Sequence, residues 1–290
     1  MKRIVLLFVC LVLAACGAQK NATHKAATLL DTQATTNKVL VIILENHSLK
    51  QIKASAPYTQ SLGDKYGQAT NFKACAHPSK PNYACYTAGS TMGLTSDSNK
   101  RVKGQSVFGA TFAAGRTAKS MIEDMGTDRC RHGNYKKSVE KHNGQEFFSD
   151  ENALCEKYNF SYDLYGATDI RDGKLGNVEF LIPNQCNNAH DCSLGTWDKW
   201  LKVQMTKIFA GKDWTSGHLT VIITADEDDK KNGNIIPMIV VNPNLSHKVV
   251  TTPLTAYSLN GLLTDFGGAK RMRGGITAPD FKSAFGLLVN

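Results

Sequence analysis

The sequence predicts an α/β fold with a mostly parallel central sheet flanked by helices. Two β-branched apolar runs, Lys38–Leu44 and 218–224, are bounded by polar residues, as expected of strands buried on both faces of a parallel sheet. Amphipathic stretches at 197–208 and 257–266 have helical spacing and alternate with further strand candidates. This alternation is typical of helices packed against such a sheet.

Polar and acidic residues follow each of the two apolar runs directly. Glu45 and Asn46 come after the first run, and Asp226 and Glu227 come after the second. In open α/β sheets, ligands bind beside the carboxyl ends of strands, so the two exits can be brought together. The pattern therefore indicates a site at that edge of the sheet.

The remaining segments predict shorter elements. A helix is expected over 111–114, and strands over 119–121, Val178–Ile182 and 235–241. Residues 126–175 are polar, weakly periodic and contain cysteines. We expect an insertion or cap there.

The N-terminus has the organisation of an export signal. Lys2 and Arg3 precede an apolar stretch of about ten residues, too short to span a bilayer. The run Leu13-Ala14-Ala15-Cys16 resembles the lipobox of bacterial lipoproteins, in which the cysteine is diacylated; an ordinary secretory signal is the alternative. The predicted parts of the chain are a signal peptide (1–15), a lipidated Cys16 at the start of a flexible tether (16–37), and one folded domain (38–290).

This resemblance implies a protein of the cell envelope, held to a membrane by its N-terminal lipid and facing the periplasm or the cell surface. The formal net charge of the 290 residues is +9, and the lysines are scattered rather than clustered. Such a surface suits anionic substrates or lipid headgroups better than a nucleic-acid groove, and no DNA-binding motif is present. We expect no nucleic-acid partner, and the oligomeric state is left open.

Six cysteines remain outside the signal and the lipid site. In an oxidising compartment an even number favours disulfides, although many pairings are possible in principle. Local spacing favours three of them, and a zinc site is the alternative, but no Cys-x-x-Cys pair occurs. The predicted bonds are Cys75–Cys85, Cys130–Cys155 and Cys186–Cys192.

The polar loops contain the residue types of a mononuclear hydrolase. A hard divalent cation needs oxygen ligands, which the two strand exits supply through Glu45, Asn46, Asp226 and Glu227. A serine bound to such a cation loses its proton more readily, so Ser79 would become a nucleophile toward phosphorus. A solvated acidic turn or a structural calcium loop is the alternative for 226–229.

Four motifs resemble one family. They are Leu44-Glu45-Asn46-His47-Ser48, His77-Pro78-Ser79-x-Pro81-Asn82-Tyr83, Pro183-Asn184-x-Cys186-Asn187-x-x-His190-Asp191 and Thr224-x-Asp226-Glu227. Together they are similar to the phosphoesterase family of bacterial acid phosphatases and phospholipases C, over about residues 38 to 266. The resemblance implies an alkaline-phosphatase-like fold and one divalent metal ion at the carboxyl ends of the strands.

The resemblance also implies roles for individual residues. Glu45, Asn46, Asp226 and Glu227 would bind the metal, and Ser79 would complete that set of ligands and act as nucleophile. Asn82 would hold a phosphoryl oxygen, and three histidines would contact the phosphate or protonate the leaving oxygen: His77, His142 and His190. Asp191 would either bind metal or orient His190.

The chain departs from the family pattern at three positions. Asn188 stands where an aspartate is frequent, Ala256 where a histidine is frequent, and Ala225 where a tryptophan is common. The loss of one carboxylate and one imidazole argues against a complete second metal site. A single metal ion is therefore expected.

The expected function is hydrolysis of phosphomonoesters through a phosphoserine intermediate. Two alternatives follow from the same residues. A phospholipase C would cleave phospholipid diesters, and a catalytically silent envelope lipoprotein would keep the fold without turnover, since functions on one fold diverge widely.

Overall fold

The computed structural model describes residues 36–290. The signal peptide, Cys16 and the tether up to residue 35 lie outside the described residues. Thr36 and Asn37, which the sequence assigns to the tether, are already part of the folded domain. Thr36 donates its backbone N–H to Leu288 O at 2.9 Å, and Asn37 donates to His218 O at 3.1 Å.

Within the described part, an eight-stranded sheet forms the centre of the domain, in the order β5-β4-β6-β1-β7-β8-β2-β9, and β10 pairs with β3. The strands are β1 (Lys38–Leu44), β2 (Gly67–Ala69), β3 (Phe72–Lys73), β4 (Ala118–Ile122), β5 (Asn159–Ser161), β6 (Val178–Ile182), β7 (Leu219–Ala225), β8 (Met238–Val241), β9 (Lys248–Val250) and β10 (Leu254–Thr255).

Helices surround this sheet. The α-helices are α1 (Leu49–Ser55), α2 (Pro57–Lys65), α3 (Ser79–Ala88), α4 (Val107–Ala113), α5 (Asn152–Tyr158), α6 (Ala167–Asp172), α7 (Leu194–Ala210), α8 (Lys212–Thr215), α9 (Ala256–Phe266) and α10 (Phe281–Phe285). Short 3₁₀ turns occupy Glu140–His142, Gly144–Phe147, Ser149–Glu151 and Arg273–Ile276, and a π turn occupies Tyr162–Gly166. The predicted helices at 197–208 and 257–266 lie inside α7 and α9.

The register at the middle of the sheet places the predicted site. Strand β1 runs parallel to both β6 and β7, and Leu44 lies opposite Ala225. Four of the seven residues of β1 are β-branched valine or isoleucine and two are leucine, and these six, at positions 39–44, are buried. Since β1 and β7 end at the same level, Glu45 and Asp226 leave the sheet side by side.

Two elements differ from the sequence prediction. The strand expected over 235–241 begins only at Met238 and runs antiparallel to β7. Pro237, which lacks a backbone N–H, precedes it and cannot donate to the sheet. The segment 126–175 is also more than a cap, because its strand β5 pairs with β4 and forms one edge of the sheet.

The three predicted disulfides are confirmed. Cys75–Cys85, Cys130–Cys155 and Cys186–Cys192 have S–S distances of 2.05, 2.15 and 2.02 Å. Among the helices of residues 36–290, none combines the length and the apolar character needed to cross a bilayer.

Candidate active site

The carboxylate of Glu45 lies at the centre of the candidate site. It follows β1 directly and is fully buried. Its Oε1 accepts a 3.0 Å hydrogen bond from Ser79 Oγ and lies 2.8 Å from Lys141 Nζ. Its Oε2 lies 2.9 Å from His142 Nε2. One carboxylate therefore joins the predicted nucleophile to two cationic or potentially cationic groups.

The electrostatics of Glu45 follow from this environment. Burial raises the pKa of the carboxyl, but the facing His142 and Lys141 outweigh burial and hold the pKa well below its ordinary value. Burial in turn lowers the pKa of Lys141, and the negative charge of Glu45 reverses that effect and raises it. Glu45 is thus an anion and Lys141 a cation at neutral pH.

Ser79 is the first residue of α3 and is almost completely buried. The loop before it is held by Asn82 from inside the helix. Asn82 Oδ1 accepts from the backbone N–H groups of Cys75 at 3.0 Å and Ala76 at 2.9 Å. Its Nδ2 donates to the carbonyl oxygens of Ala76 and Pro78. The amide that was expected to hold a phosphoryl oxygen is therefore engaged with the backbone of the loop that presents Ser79.

Asp226 brings a second carboxylate into the site from the end of β7. Its Oδ1 accepts hydrogen bonds from the backbone N–H groups of Asn46 at 3.0 Å and Glu227 at 2.8 Å. Asp226 Oδ2 and Asn46 Oδ1 are buried and have no hydrogen-bond partner among the described residues. Buried oxygens of this kind carry a desolvation cost unless something binds them.

This donor set fits a metal ion. One ligand atom each from Glu45, His142 and Asp226 lie within 4.8 Å of one another, and all three residues are buried. Burial, followed by the charges of Glu45 and Glu227, raises the pKa of Asp226 well above its ordinary value. A cation among these carboxylates would relieve that repulsion and satisfy the unpartnered oxygens. His142, expected to contact phosphate or to protonate, thus joins the group that can hold a metal.

Glu227, predicted as a metal ligand, contacts a histidine in the structure. Its Oε2 lies 2.6 Å from His77 Nδ1, and His77 Nε2 lies 3.4 Å from Asp228 Oδ1. Burial raises the pKa of Glu227, and His77 opposes that effect. Glu227, Asp228 and Asn46 line a cleft of about 260 Å³ beside the carboxylate cluster. His77 thus contacts two of the carboxylates that line this cleft.

His190 approaches the same carboxylate from the loop closed by Cys186 and Cys192. Its Nε2 lies 3.9 Å from Glu45 Oε1, and its Nδ1 lies 2.6 Å from Asp191 Oδ1. The Asp191 side chain is 53% exposed. Of the two roles left open for Asp191, this geometry matches orientation of His190.

The three departures from the family pattern have distinct surroundings. Asn188 is buried and donates from Nδ2 to Glu45 Oε2 at 3.2 Å, so a neutral amide supports the carboxylate. Ala225 is the last residue of β7, and its carbonyl accepts the hydroxyl of Tyr86 at 2.7 Å. Ala256 begins α9 and is fully buried.

The sequence motifs assign no function to two polar residues of the site. Lys141 contacts both Glu45 and Ser79, and Asp97 Oδ2 lies 3.3 Å from Lys141 Nζ. Lys141 lies in a 3₁₀ turn without helical or strand periodicity. In the sequence, only its position next to His142 could have indicated that Lys141 lies in the site.

Comparison with known proteins agrees with the fold. A protein of the alkaline phosphatase superfamily from Vibrio parahaemolyticus is similar with a TM-score of 0.57 at 12% identity, over 87% of this chain and 72% of that one. A phosphonate monoester hydrolase from Silicibacter pomeroyi has a TM-score of 0.55 at 10% identity, over 86% of this chain and 77% of its own. The chain therefore has an alkaline-phosphatase-like fold.

Comparison of sequences gives the chemistry. A phosphatidylinositol-3-phosphatase from Mycobacterium tuberculosis is 27% identical over 269 residues, which cover 90% of this chain and 86% of the relative. A phosphate-repressible acid phosphatase from Penicillium chrysogenum is 27% identical over 169 residues, which cover 55% of this chain and 40% of the relative.

The class of protein follows from these findings: it is a phosphoric ester hydrolase on an alkaline-phosphatase-like fold. The profile of the Phosphoesterase family matches residues 53–244. The chain belongs to that family.

Proposed function

We propose that this hydrolase cleaves phosphomonoesters in two steps, with Ser79 as the nucleophile and a divalent metal ion as cofactor. The observation that carries the proposal is the 3.0 Å hydrogen bond from Ser79 Oγ to Glu45 Oε1, inside a cluster of buried carboxylates. This contact supports a role for the Ser79 hydroxyl as a nucleophile toward a phosphate ester bound beside the carboxylates.

One metal ion would be held by the groups that converge around Ser79: Glu45, Asn46, His142 and Asp226. When bound, it would supply positive charge to the serine oxygen and to the phosphoryl oxygens. Glu227 is the remaining ligand expected from the sequence, and its contact with His77 supports a role at the mouth of the cleft.

The chemical step forms the bond from Ser79 Oγ to phosphorus and breaks the bond from phosphorus to the leaving oxygen. The proton of the Ser79 hydroxyl ends on the leaving alcohol, and we assign its transfer to His190, whose contacts with Asp191 and Glu45 support that role. In the second step a water oxygen replaces Ser79 Oγ on phosphorus. The serine regains a proton, and inorganic phosphate leaves.

Hydrolysis of p-nitrophenyl phosphate tests this proposal. Turnover should require added Mg²⁺, Mn²⁺, Ca²⁺ or Zn²⁺, stop on chelation, and fall by at least about a thousandfold in Ser79→Ala. Ser61→Ala, at an exposed position of helix α2, is the matched control and should leave turnover unchanged. Full turnover in Ser79→Ala would exclude Ser79 as the nucleophile. Full turnover after chelation would exclude a requirement for the metal ion.

A lipid phosphate is the second candidate substrate. The mycobacterial relative is named for a phosphorylated lipid. A pocket of about 330 Å³ also lies beside the start of α1, lined by Leu49, Ile235, Asn232, Lys50 and Lys53. Its apolar floor and two lysines suit an amphiphilic anion. Comparison of phosphatidylinositol phosphate monoesters with a phosphocholine diester would separate a lipid phosphatase from a phospholipase C.

We further propose that the protein is an envelope lipoprotein attached through Cys16. Support comes from the Leu13-Ala14-Ala15-Cys16 run behind the apolar signal. Metabolic labelling with a palmitate analogue should mark the wild-type chain and spare Cys16→Ser. Labelling of both chains, or of neither, would contradict the proposal.

A further inference from the structure

Lys141 places a fixed cation against the proposed nucleophile. Its Nζ donates to Ser79 Oγ at 3.3 Å and lies 2.8 Å from Glu45 Oε1 and 3.3 Å from Asp97 Oδ2. The side chain is only 19% exposed. A surface ion pair would make no contact with Ser79, whereas the ammonium group of Lys141 contacts its hydroxyl oxygen.

The position of Lys141 is determined by the first turn of α3. Its neighbour Glu140 forms a buried ion pair with Lys80, the residue after Ser79, with N–O distances of 2.8 and 2.9 Å. Asp97 accepts the backbone N–H of Lys80 through Oδ1 at 2.9 Å and contacts Lys141 through Oδ2. The backbone next to Lys141 and its ammonium group are therefore both tied to the helix that begins with Ser79.

The charge of Lys141 also fits the composition of the site. Asn188 supports Glu45 with a neutral amide, so it adds no negative charge beside the Glu45 carboxylate that Lys141 contacts. A lysine ammonium is a compact point charge that can stabilise an oxyanion at short range. It can act here without a second metal ion.

We propose that Lys141 is a catalytic residue whose ammonium group stabilises negative charge on Ser79 Oγ and on the adjacent phosphoryl oxygen during phosphoryl transfer. Lys141 keeps its own protons throughout, so the bonds made and broken are those of the two steps given above. The inference rests on the proposed function, because it takes Ser79 as the nucleophile.

Steady-state kinetics of Lys141→Met are the first test, with Lys199→Met on the exposed face of α7 as the matched control. We expect kcat of Lys141→Met to fall by about 100- to 1000-fold, with KM changed by only a few fold, because the charge appears in the transition state. The control should keep the wild-type kcat. Bound metal per chain, measured by elemental analysis, should be undiminished in Lys141→Met.

Two further measurements separate a catalytic cation from a structural one. Propylammonium added to Lys141→Ala should restore part of kcat, whereas an uncharged propanol should not. Orthovanadate, which adopts the geometry of the transition state, should bind Lys141→Met at least about tenfold more weakly than wild type by calorimetry. The affinity for inorganic phosphate should fall less than the affinity for orthovanadate in this variant.

The outcomes distinguish this inference from the proposed function. If the wild type hydrolyses no ester but Lys141→Met still weakens orthovanadate binding, the stabilisation of phosphoryl charge by Lys141 is upheld and the proposed hydrolysis is not. Wild-type kcat in Lys141→Met, equal orthovanadate binding in both proteins, or loss of metal in parallel with activity would overturn the inference. Absence of orthovanadate binding to the wild type would overturn it as well.

Discussion

Ser79 donates its hydroxyl proton to Glu45 in a hydrogen bond of 3.0 Å, and this contact joins two segments that are 34 residues apart in the chain. Glu45 directly follows the central strand β1, and Ser79 begins α3. Ser79 is therefore held by a fully buried residue at the end of a buried strand. A reactive geometry at this contact would depend on rigid support from the surrounding residues.

Replacement of Glu45 by glutamine should remove metal binding while the fold persists. Glutamine keeps an oxygen that can accept the Ser79 hydroxyl but has no charge to offer a cation. We expect Mn²⁺ affinity, measured by calorimetry, to fall by about 100-fold or more. Asp229→Asn at the mouth of the cleft is the control. Unchanged affinity in Glu45→Gln would exclude Glu45 as a ligand.

Asn82→Ala should both destabilise the protein and lower its activity. The change removes the four hydrogen bonds of the amide and leaves the N–H groups of Cys75 and Ala76 without their acceptor. We expect a loss of about 3 kcal/mol in the free energy of unfolding, measured in denaturant. Asn82→Asp keeps the acceptor oxygen and should lose less. Equal stability of all three proteins would contradict the structural role.

Lys80→Met should be far more damaging than removal of the whole ion pair. It leaves Glu140 buried without a counter-charge, which costs about 4 kcal/mol. The double variant Lys80→Met/Glu140→Leu replaces both charges with apolar groups and should regain most of that stability. A double-mutant cycle in denaturant measures the difference. If the double variant is as unstable as Lys80→Met, the unpaired charge is not the cause.

Glu179→Gln should change how stability depends on pH. Burial raises the pKa of Glu179 to about 7, with Lys119 opposing that effect, while the model-peptide value is 4.5. Between these values the folded state holds a proton that the unfolded chain has lost, so stability falls as pH rises from 4.5 to 7. The loss amounts to about 3 kcal/mol and is complete above pH 7.

In Glu179→Gln this dependence disappears, because glutamine cannot ionise. Denaturant unfolding at pH 5 and pH 8 should show the variant gaining stability over wild type only at the higher pH. Glu156→Gln, on the exposed side of α5, is the control and should follow wild type at both. An equal pH dependence in wild type and Glu179→Gln would show that Glu179 ionises with an ordinary pKa.

Local patterns predicted the central parts of the fold. The apolar runs before Glu45 and Asp226 became β1 and β7, and both amphipathic stretches became helices. The three disulfides also followed from local spacing. In each case a few neighbouring residues contain the information, because burial on both faces, helical periodicity and short loops are properties of the segment itself.

The contacts around Ser79 could not be predicted from local patterns. Lys141 lies 96 residues from Glu45 in the chain, and its turn has no regular periodicity. Asn82 was expected to face the phosphate, yet its amide is engaged with the loop beneath Ser79. The pairing of Glu227 with His77 likewise depends on how two loops meet.

The sequence alone thus determined the fold class, the strand exits and the residue types of the site, since these follow from local patterning and from the family motifs. Only the tertiary structure decided which groups touch: it set β8 antiparallel, placed His142 beside the carboxylates and brought Lys141 onto Ser79. The physical reason is that such contacts depend on the packing of segments distant in the chain. Hydrogen bonds and ion pairs there form only once the sheet and its loops are in place.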